Sequence, residues 1–213
     1  MPGTGTELRQ DCNETARAHT RHGLRRTVNH VARKPRDESP GYHHVVTRGN
    51  NKQPIYLDDD DRWFCCLTVD RIALRYGWRV IAYCLMDNHY HLIILVGEQG
   101  LSDGMRDLNT ALACRFNVKH GRINHLFGKR FWSRRIKTEA SLVTAIRYVV
   151  QNPRRAGGSK PLEAYVWSSY AASIGLSFAR MRLAHDELLV LFGRDPARAV
   201  EHFRSFCSAR GFT

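Results

Sequence analysis

No stretch of eighteen apolar residues occurs in the 213-residue chain, so no segment reads as a membrane span. The opening run MPGTGTELRQDCNETARAH has no apolar core, which argues against an export signal. No C-x-x-C pair occurs among Cys12, Cys65, Cys66, Cys84, Cys114 and Cys207, which argues against a structural zinc site. Cys65, Cys84 and Cys114 lie in apolar runs and read as small core residues, and without an export signal the expected compartment is the reducing cytoplasm. No phosphate-cradling glycine loop and no internal repeat are found. Acidic residues are scarce: 20 stand against 33 Lys and Arg, a net charge of +13. A surplus of that size says little about fold and points to a polyanionic partner, of which nucleic acid is the commonest. The remaining composition, 43% apolar and 25% charged, is that of an ordinary globular protein.

Residues 1–40 lack apolar periodicity and read as a flexible basic arm. A second reading takes Val31 as the true start, since GTG codons initiate in bacteria, and residues 1–30 as a misannotated extension. From Tyr42 the pattern becomes regular. Tyr42–Thr47 reads as a strand ending at the turn Arg48-Gly49-Asn50-Asn51. The acidic run Asp58–Asp61 opens a helix that ends at Tyr76 before Gly77. Trp78–Leu85 and His89–Val96 form a hairpin about Met86-Asp87-Asn88. A helix follows over Leu101–Lys119, then a strand within Arg130–Thr138, then a helix over Glu139–Asn152 stopped by Pro153. The order β-α-β-β-α-β is that of ferredoxin-like α+β folds: an antiparallel sheet with helices packed on it, followed by one further helix. After a packed loop at Trp167-Ser168-Ser169-Tyr170, two small helices are expected over Leu183–Phe192 and Pro196–Phe206. The expected organisation is an arm over 1–40, a catalytic domain over 41–172 and a helical appendage over 173–213.

Three groups of residues suggest chemistry. His89 and His91 are two apart on a strand, so both imidazoles leave the same face together with Ile93 and Leu95. Taken alone the pattern more often marks two hydrogen-bonded histidines near a turn than half of a divalent-metal site. On the last helix of the domain, Leu142, Val143, Ile146, Val149 and Val150 make one apolar face. Tyr148 and Asn152 fall on the opposite face, four apart and hence adjacent. Packing within the stripe does not account for them, although Tyr148 at the surface or against another element would. Finally, Arg115–Lys160 holds twelve Lys and Arg and a single acid, Glu139, giving +11 of the total charge. Phe127, Phe131 and Trp132 are interleaved with it. Cations track phosphates and aromatic faces stack on unpaired bases, so nucleic acid is favoured over a merely solvated face.

Together these segments resemble the REP-associated tyrosine transposase branch of the insertion-sequence-two-hundred-like superfamily. Asn88-His89-Tyr90-His91 is similar to the histidine-hydrophobic-histidine (HUH) motif of single-tyrosine HUH transposases. His44-Val45-Val46-Thr47-Arg48-Gly49-Asn50-Asn51 resembles their opening strand and turn. Arg147–Gly157 resembles the tyrosine helix, and Trp167-Ser168-Ser169-Tyr170 the closing segment. The resemblance spans residues 33–172. It implies that His89, His91 and Asn152 bind Mg²⁺ or Mn²⁺ and that Tyr148 is the nucleophile. It also implies a single-stranded DNA substrate with hairpin-forming palindromic repeats, and a monomer or a homodimer. The expected DNA-binding residues are Arg48, Asn50, Lys129, Arg130, Arg134, Arg135, Lys137, Arg154 and Arg155. Two residues depart from the family pattern: Asp87 stands where many relatives have proline, and Tyr90 is a large, polar-tipped middle residue. Two other functions fit the same charge pattern, a non-catalytic single-strand binder with a retired site and a metal-dependent RNA nuclease that uses water.

Overall fold

The computed structural model describes residues 36–209, so most of the expected arm lies outside the described residues. The chain folds as β1 (Gly41–Arg48), α1 (Asp59–Tyr76), β2 (Arg79–Met86), β3 (His89–Val96), α2 (Leu101–Lys119) and β4 (Trp132–Ile136). These strands form one sheet in the order β2-β3-β1-β4, with every neighbouring pair antiparallel, which is the expected ferredoxin-like α+β arrangement.

Local chemistry sets the element limits. Asp58 caps α1 by accepting the Asp61 N–H at 3.0 Å, and three acids occupy its first turn against the helix dipole. Gly77 ends α1 in the left-handed region at φ 63°, which a residue without Cβ adopts freely. The hairpin turn is held from both sides: Arg62 of α1 reaches Asp87 at 2.6 Å, and Gly49 donates its N–H to the Asn88 carbonyl at 2.8 Å. Asp87 therefore fastens the turn by an ion pair. Tyr90 is fully buried, and its hydroxyl donates to Asn109 of α2 at 2.7 Å, which accounts for a polar-tipped residue in the middle of the motif.

The sheet carries a core on each face. Val45, Tyr90, Leu92 and Ile94 pack with Val69 and Ile72 of α1 and Met105, Leu108 and Leu112 of α2. Trp78 approaches α2 so closely that a Cβ at Gly104 would run into its ring. Ile81, Cys84 and Ile93 form the second core with Leu142, Ile146, Val149 and Val150 of α3 (Glu139–Val150). A bulge between Val80 and Ala82 turns both Ile81 and Ala82 toward this second core.

The tyrosine helix departs from expectation at its end. Pro153 does not stop the helical course. It opens a short helix, α4 (Asn152–Arg155), because proline is tolerated in a first turn, where N–H groups lack partners anyway. The closing segment lies along β2: Leu85 donates its N–H to the Trp167 carbonyl at 2.9 Å, and Ser169 to the Tyr83 carbonyl at 3.0 Å. After α5 (Tyr170–Ser173), the helices α6 (His185–Leu189) and α7 (Pro196–Ser208) place Leu188, Phe203 and Cys207 in the second core. Gln151 donates to the Cys207 carbonyl at 2.7 Å, tying α7 to the end of α3.

Cys65 and Cys84 are free and buried as expected, and burial pushes the Cys65 thiol up to about 12. Cys114 differs: it is half-buried rather than a core residue.

Candidate active site

Strand alternation puts His89 and His91 on the α3 face of β3, with their ring centroids 5.0 Å apart. Beyond the apolar part of that face lies a cluster of polar and aromatic side chains. Tyr148 enters it from the last turn of α3, 39% exposed, with its ring centroid 5.7 Å from that of His91. One chain thus brings the tyrosine and the histidine pair together. The helix wheel placed Tyr148 away from the apolar stripe correctly. What it could not supply was the neighbouring strand that fills the space.

The hydrogen bonds leave particular atoms free. Asn88 Oδ1 lies 2.7 Å from His89 Nδ1. His91 Nδ1 is 2.9 Å from His44 Nε2. His91 is only 4% exposed, and its Nε2 has no hydrogen-bond partner among the described residues. Asn152 donates its amide N–H to the Tyr148 carbonyl at 2.9 Å, and its side chain favours the protonated form of His89.

Burial pushes His91 down to about 3, and the neighbouring His44, His89 and Arg48 act in the same direction. Burial, then Arg134, pushes His44 down to about 4. Burial and Arg48 lower His89 against the opposing bond to Asn152. At neutral pH the cluster is therefore a set of uncharged rings bearing lone pairs, the form that ligates a cation.

The cationic residues divide by face. Arg134 pairs opposite His44 across β1 and β4 and so points to the side of the cluster, as does half-exposed Trp132, whose ring meets His44 edge-on at 5.4 Å. The Arg155 guanidinium lies 5.0 Å from the Tyr148 ring centroid. Arg48 ends β1 opposite His89. Lys129, Arg130, Lys137 and Arg154 are exposed. Asn50 is half-buried, and its backbone N–H bonds the Leu126 carbonyl at 2.9 Å. Arg135 is not with this group. It points to the other face, donates to the Pro40 carbonyl at 2.8 Å and lies 3.9 Å from Asp37.

Asp58, Asp61 and His120 also bring ligand-type atoms within 4.8 Å of one another. Lys119 already reaches Asp58 at 2.7 Å and Asp61 at 3.2 Å, and Asp61 accepts from His120 at 2.9 Å. That cluster is an internally neutralised helix cap.

The profile of the family described as Transposase IS200 like matches residues 39–151. The chain belongs to the IS200-like transposase family. Membership makes DNA transposition, and with it DNA binding, the class of activity of this transposase. Among solved structures, a REP-associated tyrosine transposase bound to a REP hairpin matches with a TM-score of 0.54 at 16% identity, over 68% of this chain and 86% of that one. It supports the fold. A putative transposase from Deinococcus radiodurans covers 60% of this chain and 99% of its own at 16% identity, with a TM-score of 0.39. No curated protein matches the transposase sequence. No helix among its described residues is long and apolar enough to cross a membrane.

Sequence reasoning missed three members of the site: His44, Asn88 as the partner of His89, and Trp132 as its neighbour. Parity groups His44 with Val46, but the pairing of Val46 with His91 that brings it to the site is a long-range register that no local signal carries.

Proposed function

We propose that the protein cuts and rejoins single-stranded DNA by transesterification at Tyr148. The observation that carries this reading is the placement of the Tyr148 ring 5.7 Å from His91 and 5.9 Å from His44 within one chain. The catalytic domain is residues 41–172, and residues 174–207 support it by completing the second core. On this reading the protein acts in the cytoplasm.

The donor set suits a divalent cation: His89, the partnerless buried His91 Nε2 and Asn152 Oδ1 would hold Mg²⁺ or Mn²⁺. When bound, that ion polarises the scissile phosphate and offsets its developing charge. The Tyr148 oxygen attacks phosphorus in line as the phenol loses its proton. The bond from phosphorus to the 3′-oxygen breaks, and that oxygen takes up a proton. The product is a 5′-phosphotyrosine and a free 3′-hydroxyl. Attack by another 3′-hydroxyl reverses the step and joins strands, so the bond energy is conserved without a nucleotide cofactor. The Arg155 guanidinium stands 5.0 Å from the Tyr148 ring centroid, and Arg48 and Arg134, on the same side of the sheet, would meet the phosphate. Lys129, Arg130, Lys137 and Arg154 track the flanking backbone. A hairpin-forming palindromic repeat is the proposed substrate, supported by the REP hairpin in the related complex.

The test is to incubate the full chain with Mn²⁺ and labelled single-stranded oligonucleotides containing a foldback hairpin. A covalent adduct surviving a denaturing gel supports the reading. Cleavage without an adduct indicates a water nuclease, and binding without cleavage indicates a retired site.

A further inference from the structure

His44 lies outside the donor set, yet it governs which atom of His91 is free. The two rings are stacked, with centroids 5.2 Å apart and planes at 27°, and His44 Nε2 is 2.9 Å from His91 Nδ1. Trp132 and Tyr148 also meet the His44 ring edge-on, at 5.4 and 5.9 Å. A single proton occupies the bond between the rings. If His44 donates it, His91 must carry its own hydrogen on Nε2, where a buried N–H would find no acceptor among the described residues. If His91 donates it, Nε2 keeps its lone pair.

We infer that His44 is a positioning residue that accepts the Nδ1–H of His91 and so holds the His91 Nε2 lone pair toward the divalent cation. This rests on the cation site proposed above. Asn88 stands in the same relation to His89, so both ring ligands have a dedicated partner on the atom that does not face the ion. The roles differ in origin. Asn88 is the chain neighbour of His89, whereas His44 is delivered by β1 through the sheet register.

The experiment measures Mn²⁺ affinity without DNA, by the electron paramagnetic resonance of free Mn²⁺, for wild type, His44→Ala, His44→Gln and His91→Ala. Unfolding curves check that each variant folds. Loss of such a partner weakens metal binding about 10–100-fold, so His44→Ala should fall in that range. His44→Gln, whose carbonyl also accepts, should recover most of the affinity. In parallel, ¹⁵N spectra of the His91 ring should show the Nδ1–H tautomer in wild type and in His44→Gln, and its loss in His44→Ala. A wild type that binds Mn²⁺, beside a folded His44→Ala of equal affinity, overturns this role alone. An Nε2–H tautomer in metal-free wild type also overturns it. A wild type that binds no Mn²⁺ overturns the cation site and this role together.

Discussion

β3 presents two faces built from alternate residues of one eight-residue strand, and they do opposite things. Tyr90, Leu92 and Ile94 are all fully buried in a dry core against α1 and α2. One residue out of phase, Ile93 packs under α3 while His89 and His91 join a cluster with Tyr148. The first face is filled by apolar packing, with the Tyr90 hydroxyl donating to Asn109. Buried polar atoms without a partner among the described residues occur on both sides, His43 Nδ1 and Thr47 Oγ1 on the first and His91 Nε2 on the second, but only the second groups its imidazoles with Tyr148. The contrast shows that the sheet is held by one side and used from the other.

Substitutions on the two faces should therefore separate stability from chemistry. The largest effect is expected from Tyr148→Phe. It should abolish the adduct, with cleavage down at least about 10³-fold, while leaving unfolding and single-strand binding near wild type because the side chain is half-exposed. Leu92→Ala, on the opposite face, should cost about 2–5 kcal/mol in denaturant unfolding. Its cleavage per folded molecule should stay close to wild type.

A third pair sharpens the comparison along β4, where neighbours point to opposite faces. Arg134→Ala should reduce the salt dependence of DNA binding by about one phosphate contact. Arg135→Ala, whose side chain is engaged by Pro40 and Asp37, should leave that slope unchanged.

The smallest effect concerns Asp61. Burial raises its carboxyl, but hydrogen bonds from the Leu57 N–H, His120 and Lys119 outweigh this and hold it below the ordinary carboxylate range. Its stabilisation is present above about pH 4 and is lost as pH falls through the lower native value. Asp61→Asn should thus lower stability by about 1 kcal/mol at neutral pH and flatten the acid limb of the stability curve. Mn²⁺ affinity should be unaffected.

Much of this division was legible in the sequence. Alternation along His89–Val96 assigned both faces of β3, and the acidic run and Gly77 bounded α1, because those signals are local. The helix end at Pro153 was misread, since a proline that terminates one helix can equally occupy the first turn of the next. His44 was hidden for a different reason. His43 and His44 are adjacent, and one necessarily points to each face. Only the register Val46↔His91 decides which of them meets the site, and register is a long-range property. His43 instead lies on the Val45 side and bonds the Ser39 carbonyl at 2.9 Å. Arg135 was grouped with the DNA-facing cations by charge alone, and strand parity separates it from Arg134.

The most direct measurement is to trap the protein on a cleaved oligonucleotide, digest the complex and sequence the DNA-linked peptide by mass spectrometry. Covalent catalysis by Tyr148 predicts a nucleotide on that residue in wild type, and none when His89 and His91 are both alanine. A nucleotide on any other residue, or one that persists without the histidines, would contradict it.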